Sequence, residues 1–379
     1  MSNSFDVIVI GAGIFGLATA AELAARRRRV AVIDRFGSGH PATSSTGRSR
    51  GIRIAYDHPF YVELALDAIH RWRALEKAGG RQILHLTGQV DFGLDTKLAA
   101  IASAVREAGG VIDELDAAGL RRKLPHLLTA PGDIGLFHAQ AGTVLSDTGM
   151  AALKAKVLGD GVKLFEPERV IAIEPGNLTQ VVTEKRRLEA GTVVVAAGPW
   201  TGALLATLDI HMPLAPSIAQ VTFIAAQELV DRPGIGEWGG EGEGLGGVYG
   251  HPVPGIGYKL AFSTGQEGWV PDVDQWQPDY EEQARLFAWL DRRMPDFPRQ
   301  VQLVQRHPWT MTPDGDFIVD RVGPVVLACG CSGHAFKFGP ALGPLVADVV
   351  DGKPAHPLLR RDRPSLVGKK AAAGDAISR

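Results

Sequence analysis

The sequence predicts an α/β protein: a buried parallel sheet with helices, joined by a second, mixed and largely antiparallel sheet. Three observations carry this. A strand–helix–strand unit opens the chain, with glycines at its first turn. Apolar strands ending in small residues return near Thr192 and Pro324. Between about Met212 and Gln305, Gly, Pro and Trp rise and short alternating stretches such as Gly257 to Phe262 appear, the texture of an antiparallel sheet.

The elements follow in order. Asp6 to Ile10 is a short apolar run ending in glycine, a buried parallel strand. A helix rich in Ala and Leu is expected from Ile14 to Arg29, and Val30 to Ile33 is the next strand. Arg26-Arg27-Arg28-Arg29 reads as cations near a helix C-terminus rather than a nucleic-acid contact. Phe60 to Lys77 is an amphipathic helix stopped by Gly79-Gly80, and Gln89 to Phe92 alternates like a strand. Leu98 to Ala108 is a helix capped by Asp95 or Thr96 and ended by Gly109-Gly110. Leu153 to Leu158 closes another helix. A last strand, Pro324 to Ala328, leads through a Gly-rich loop to a helix from Ala341 to Val350. The chain after Arg363 is small, charged and unpatterned, and is expected to fray.

Composition narrows the function. At 379 residues the chain exceeds one ordinary core, so two lobes are expected. Apolar residues at 45% exclude disorder as the main state, and 40 Lys and Arg against 42 Asp and Glu imply no nucleic-acid partner. Cys329 and Cys331 are too few for a disulfide framework or a four-thiolate zinc site, and two residues apart on a strand they suit buried thiols. No metal is expected, no stretch approaches a membrane span, and the strand pattern at Asp6 leaves no room for a leader. A cytoplasmic protein, monomeric or a small homo-oligomer, is the expectation.

Gly11-Ala12-Gly13-Ile14-Phe15-Gly16 follows a strand, opens a helix and precedes Asp34 at the end of the second strand. In that context it is a dinucleotide fingerprint. The glycines let the backbone approach a pyrophosphate at the helix N-terminus, and Asp34 suits a ribose diol while disfavouring a 2′-phosphate. The fingerprint does not separate NAD from FAD. Thr192 to Gly198 is a second strand ending in small residues that allow close approach. Cys329 to Pro340 is a Gly-rich loop opening a helix, a place suited to a flavin ring that gains negative charge, and Lys337 within it is a candidate anion binder.

With these stand Gly47 to Arg53, Ala196-Ala197-Gly198-Pro199-Trp200, Thr312 to Asp320 and Ser332-Gly333-His334-Ala335-Phe336-Lys337-Phe338, all in order. Together they resemble the D-amino-acid-oxidase superfamily of FAD enzymes, and within it the monomeric sarcosine oxidase and N-methyl-amino-acid oxidase branch, over about residues 5 to 365. The resemblance implies a Rossmann-type FAD-binding domain from residues 1–80, 140–210 and 315–365. A substrate domain would come from 81–139 and 211–314, and 366–379 would be a flexible tail.

It further implies that Arg53 and Lys337 hold a substrate carboxylate, a sound anion clamp. Arg50 would pack against the flavin ring, Lys259 would lie near flavin N5 and promote reaction with oxygen, and Tyr249 would be an aromatic of the substrate pocket. The expected cofactor contacts are Gly11, Gly13, Ile14, Phe15, Gly16, Asp34, Arg35, Ser45, Thr46, Arg50, Val170, Ala197, Gly198, Trp200, His307, Gly333, His334, Phe336 and Lys337. Two departures matter. The branch often tethers FAD through a cysteine where this chain has His307, so FAD is expected to be noncovalent, a histidyl link being the alternative. Ser263 stands where sarcosine oxidases carry a histidine, which weakens a claim for sarcosine itself.

The expected reaction is oxidation of the C–N bond of an amino-acid-like, secondary amine bearing a carboxylate. An imine results, and oxygen is reduced to hydrogen peroxide. The alternatives are a dehydrogenase passing electrons to a quinone or carrier protein, and a non-oxidative flavin-binding protein. N-methyl amino acids, cyclic imino acids and opine-like conjugates all fit one carboxylate clamp.

Overall fold

The structure is a computed structural model and describes residues 3–93, 95–238, 247–273 and 276–368. The opening unit is β1 (Ser4–Ile10), α1 (Ile14–Ala25) and β2 (Val30–Ile33). β1 lies between β2 and the strand Arg187–Val195, all parallel. Lys163–Phe165 extends the sheet beyond β2, and Val325–Cys329 extends it beyond Arg187–Val195. One register line runs Leu164, Val32, Val9, Val194, Val326 and the next Phe165, Ile33, Ile10, Val195, Leu327, so the sheet's centre is apolar on both faces, as a covered parallel sheet requires. Antiparallel strands Val170–Glu174, Thr179–Thr183 and Ile318–Val322 complete an eight-stranded sheet.

α1 ends sooner than its composition suggests. It stops at Ala25, with Arg26 as its C-cap and Arg27 left-handed at φ 61°. The arginines then pair with acids: Arg26 with Glu22, Asp348 and Asp351, Arg28 with Asp351, and Arg29 with Asp6. α1 packs against the helix Gly339–Val350 through small residues. A Cβ on Gly343 would overlap Ala18 O, and one on Gly339 would overlap the Ile14 side chain.

The second eight-stranded sheet runs Val301–Met311, Ala215–Ile224, Gly257–Phe262, Val248–Val253, Gly234–Trp238, Gln89–Gly93, Ile134–His138, Asp113–Leu115. Every pair is antiparallel except Gly234–Trp238 with Gln89–Gly93, as a mixed, largely antiparallel sheet was expected to be. Its Leu260, Phe262 and Val248 pack under the helix Tyr280–Arg293. The opposite face bears Lys259, Tyr249 and Ala261, and Lys259 there reaches the Ser49 carbonyl. A three-stranded sheet has Gly142–Val144 between Arg50–Ile52 and Leu84–His85.

The helix expected at Phe60–Lys77 is Pro59–Gly79, closed by a left-handed Gly80 (φ 62°). The one at Leu98–Ala108 is Asp95–Glu107, and the side chains named as its cap, Asp95 and Thr96, lie outside the described residues. The helix closing at Leu158 begins at Ser146 and ends at Gly159.

The chain end departs from the expectation of fraying after Arg363. Arg363 is buried and grips Asp314, Nε to Oδ2 at 2.6 Å and a terminal nitrogen to Oδ1 at 2.8 Å, while donating to Phe317 O and Asp316 O. Ser365 also donates to Asp314, and Leu366 is buried against the first sheet. A buried bidentate pair, not apolar pattern, holds this segment; residues 369–379 lie outside the described residues.

Burial would raise the Asp314 pKa, but Arg363 and Ser365 bring it down from 3.8 to about 2. A depressed carboxyl adds stability above its unfolded pKa and loses it as pH falls through the folded one. Unfolding free energy is therefore expected to fall between about pH 4 and about pH 2. Arg363→Ala strands a buried carboxylate and should cost about 3–5 kcal/mol at neutral pH, read from urea unfolding. An unchanged midpoint would show that the staple carries no stability.

Candidate active site

At the carboxyl ends of the parallel strands lies a cavity of about 310 Å³. Gly11, Gly13, Ile14, Phe15, Asp34, Arg35, Ser45, Val170, Ala197, Gly198 and Trp200 all line it. Gly11 sits at φ 109°, and a Cβ there would overlap Ala196 O, so only glycine lets β1 meet the strand end at Ala196. Gly16 does not line the cavity; a Cβ there would overlap Gly11 O, so its part is to let α1 sit on the turn. α1 starts without a side-chain cap, and Ser45 Oγ accepts from Ile14 N at 2.9 Å. Asp34 accepts from Ala12 N (2.6 Å), Phe36 N (2.9 Å) and Gly37 N (2.7 Å), fixing the turn that frames the cavity.

The residues fit FAD. The glycine cradle and uncapped helix suit a pyrophosphate. Ser44 Oγ and Thr310 Oγ1 line the cavity, buried and without a partner among the described residues. Beside Gly47, both ring nitrogens of buried His307 and Gln305 Oε1 are likewise unpartnered among the described residues. Buried polar atoms are ordinarily satisfied, so this row points to a bound polar group. The rim is built by Arg35, whose guanidinium lies over Phe36 (4.8 Å) and Trp200 (5.8 Å), while Asp272 takes Arg35 at 2.8 Å and the Trp200 indole at 3.1 Å.

Beyond the cavity the start and flank of the strand Arg50–Ile52, the strand Gly257–Phe262 and the turn Phe336–Phe338 bring Arg50, Arg53, Lys259 and Lys337 into electrostatic range of one another. Arg50 donates to the Ser44, Thr46 and Ser49 carbonyls and lies 5.5 Å over the Phe336 ring. Lys259 Nζ donates to Ser49 O at 3.2 Å and lies 5.7 Å from the Tyr249 ring. Lys337 Nζ donates to His334 O at 2.9 Å. Arg53 donates to Ala55 O and lies over the Tyr56 (4.5 Å) and Trp238 (5.0 Å) rings. Among the described residues these cations make no ion pair. Burial and Arg50 push the Lys259 pKa well below 10.5, and burial, Arg53 and Lys259 do the same to Lys337. Burial lowers Arg50 as well and raises the Tyr249 phenol to about 12.

The remaining expected contacts fall in two groups. Gly333, left-handed at φ 70°, shapes the loop that delivers Lys337. Phe336 lies beneath Arg50 and stacks on Trp72, and Thr46 supplies a carbonyl. The His334 ring instead turns into an aromatic cluster with Tyr56, Tyr61, Phe317 and Phe338, its Nε2 donating to Gly315 O at 3.0 Å. Only its backbone carbonyl, holding Lys337, reaches the site. Cys329 and Cys331 are free thiols, and burial raises Cys329 to about 12.

Sequence reasoning passed over several side chains. His251 stands opposite Lys259 across the strand pair, stacks on Tyr249 and lies 3.2 Å from Ser49 Oγ; burial, Lys259 and Arg50 hold its pKa well below 6.5. Strand alternation could have found it, since it shares the face of Tyr249 and Lys259. Asp91, Trp238 and Tyr56 gave no such signal.

A family model described as FAD dependent oxidoreductase matches residues 6–349. Monomeric sarcosine oxidase of Streptomyces avermitilis is 32% identical, over 94% of this chain and 97% of its own. N-methyl-L-tryptophan oxidase of Yersinia pestis is 27% identical, over 93% and 96%. Among solved structures, NikD, an unusual amino acid oxidase essential for nikkomycin biosynthesis, superposes with a TM-score of 0.82 at 23% identity, covering 97% of this chain and 99% of its own. The chain belongs to the FAD dependent oxidoreductase family, in the branch of the sarcosine and N-methyl-amino-acid oxidases. It is an enzyme of the FAD-dependent amine-oxidising class, and FAD is its cofactor.

Two outcomes are expected. With His307 at the tether position, acid precipitation should leave the yellow colour in the supernatant; flavin that stays with the protein would show a covalent link. The second concerns pH. A bound carboxylate favours the charged lysine, so binding takes up a proton once Lys337 is neutral. Affinity of the FAD-loaded enzyme for acetate should be level below the lowered pKa of Lys337 and fall by up to about tenfold per pH unit above it. Titration of flavin absorbance from about pH 6 to about pH 10 checks this. Lys337→Met should flatten the slope; a wild-type affinity that ignores pH would contradict it.

Proposed function

We propose that the chain oxidises the C–N bond of a secondary amine bearing a carboxylate to an imine, which water hydrolyses. Molecular oxygen is the acceptor and hydrogen peroxide the second product. The observation that carries this reading is half-buried Arg53 and buried Lys337, without an ion-pair partner among the described residues, next to buried Lys259. The names of the relatives, sarcosine oxidases and an N-methyl-L-tryptophan oxidase, support the substrate class.

FAD, when bound, supplies the acceptor for a hydride from the carbon beside nitrogen. The protein supplies position and charge. Arg53 offers a planar fork and Lys337 a point charge to one carboxylate, which fixes the reacting carbon. The clustered positive charge disfavours a protonated amine, leaving the nitrogen lone pair free to assist. Tyr249, with its pKa at about 12, stays a neutral phenol and walls the pocket. Lys259 stabilises the negative charge that oxygen takes on with its first electron. We assign residues 1–80, 140–210 and 315–365 to cofactor binding and 81–139 and 211–314 to substrate binding. We place the enzyme in the cytoplasm, where its free thiols stay reduced.

Stopped-flow measurement of the two half-reactions tests the acceptor. Lys259→Met keeps the stem and removes the charge. Anaerobic reduction by substrate should slow modestly, while reoxidation by oxygen should slow by about 10²-fold or more. If wild-type reduced enzyme barely reacts with oxygen and the variant behaves alike, the acceptor is a carrier or quinone and the enzyme is a dehydrogenase.

A further inference from the structure

Arg53 stands just past the strand Arg50–Ile52, and among the described residues the one hydrogen bond of its guanidinium goes to the Ala55 carbonyl. What else holds the guanidinium is aromatic: the Tyr56 ring at 4.5 Å and the Trp238 ring at 5.0 Å. Trp238 closes the strand Gly234–Trp238 of the second sheet, and its indole N–H is committed elsewhere, donating to Asp91 Oδ1 at 2.8 Å. Asp91 is fully buried. It also accepts from Gln89 Nε2 at 3.0 and 3.1 Å and from His138 Nε2 at 2.9 Å. The chain makes room for this carboxylate: a Cβ on Gly236, Asp91's partner across the parallel pair, would stand 2.5 Å from Asp91 Oδ1.

We infer that Asp91 and Trp238 are positioning residues for substrate-carboxylate recognition, acting through Arg53. The inference rests on the reading of Arg53 as the carboxylate clamp. A carboxylate paired directly with Arg53 would fix it but consume its charge and its N–H donors. A ring placed between the two avoids that. Donation of the indole N–H to an anion polarises the ring and makes its face more electron-rich, which strengthens its hold on a cation. The guanidinium is thereby oriented and partly balanced while its donors stay available for an external carboxylate. Burial alone would raise the Asp91 pKa; the His138 hydrogen bond, with Arg53 and Trp238, keeps it below 3.8, so the support stays anionic. The ligand class that gains is a small carboxylate, and a neutral analogue of the same shape gains nothing.

The test uses FAD-loaded enzyme, with acetate and acetamide titrated by flavin absorbance and kcat and KM measured on the best amino-acid substrate. Trp238→Leu removes the ring, Trp238→Phe keeps a ring without the donor, and Asp91→Asn keeps the shape without the charge. Acetate should bind on the order of tenfold more weakly in Trp238→Leu and Asp91→Asn, with partial recovery in Trp238→Phe. Acetamide should bind as in the wild type, and KM should move more than kcat. Arg53→Ala is the reference. If it weakens acetate while Trp238→Leu and Asp91→Asn do not, the support is refuted and the clamp stands. If Arg53→Ala binds acetate like the wild type, the clamp reading itself fails. Equal losses for acetate and acetamide would reveal a general distortion and overturn the inference. Should Asp91→Asn not fold, the Leu and Phe variants decide, and leucine weakening acetate no more than phenylalanine refutes it.

Discussion

Arg50, Arg53, Lys259 and Lys337 are gathered around one space without a carboxylate at ion-pair distance among the described residues. Taking a cation out of water costs several kcal/mol unless something answers it. Here the answer is backbone. Carbonyls of Ser44, Thr46 and Ser49 receive Arg50, Ser49 receives Lys259, Ala55 receives Arg53 and His334 receives Lys337. Carbonyl dipoles offset part of the cost but leave net positive potential, which an anionic ligand can use. The segment 44–56 therefore has to be held to the loop 333–337 and to the strand of Lys259 at once.

The aromatic cluster beneath the loop does much of that holding. Tyr56, Tyr61, Phe317, His334 and Phe338 pack ring on ring, Tyr61 donates to Asp316 at 2.9 Å, and the Trp72 indole donates to Lys337 O at 2.9 Å. Such a cluster is stiff because the polar tips of Tyr61, His334 and Trp72 are each spent on a fixed partner. The Asp314–Arg363 staple ties the strand end preceding Phe317 to the chain's last described segment. Stability and site geometry thus share residues, and a change that loosens this cluster displaces Lys337.

What the sequence showed follows from which part of the chain makes the contact. The cofactor half is read by backbone, and its demands fall on glycines: Gly11 at positive φ and Gly16 under the turn leave a spacing visible in any sequence. Lys337 stood out in its Gly-rich turn, but Arg53 and Lys259 were singled out only through resemblance, because a lone cation in a loop or strand carries no code. Asp91, His138 and Trp238 were invisible, since they meet only through strand pairings distant in sequence, Gln89–Gly93 lying parallel to Gly234–Trp238 on one side and antiparallel to Ile134–His138 on the other. The Arg363 staple was missed for the opposite reason: its surroundings lack pattern, and one buried ion pair outweighs that.

The same logic bears on how the site treats its substrate. Gly51 leaves space that His251 fills, its Nδ1 3.2 Å from where a Cβ on Gly51 would be. Held neutral by burial and by Lys259, the imidazole adds bulk and a polar edge beside Lys259 without adding to the positive charge there. Asp91, for its part, balances Arg53 from behind a ring rather than against it. Both devices adjust the potential of the cavity without spending the clamp. On the proposed function, a site so tuned would bind a carboxylate and disfavour a second positive charge on the same molecule. It would thereby select the neutral form of the amine, the form whose lone pair can assist loss of hydride from the neighbouring carbon.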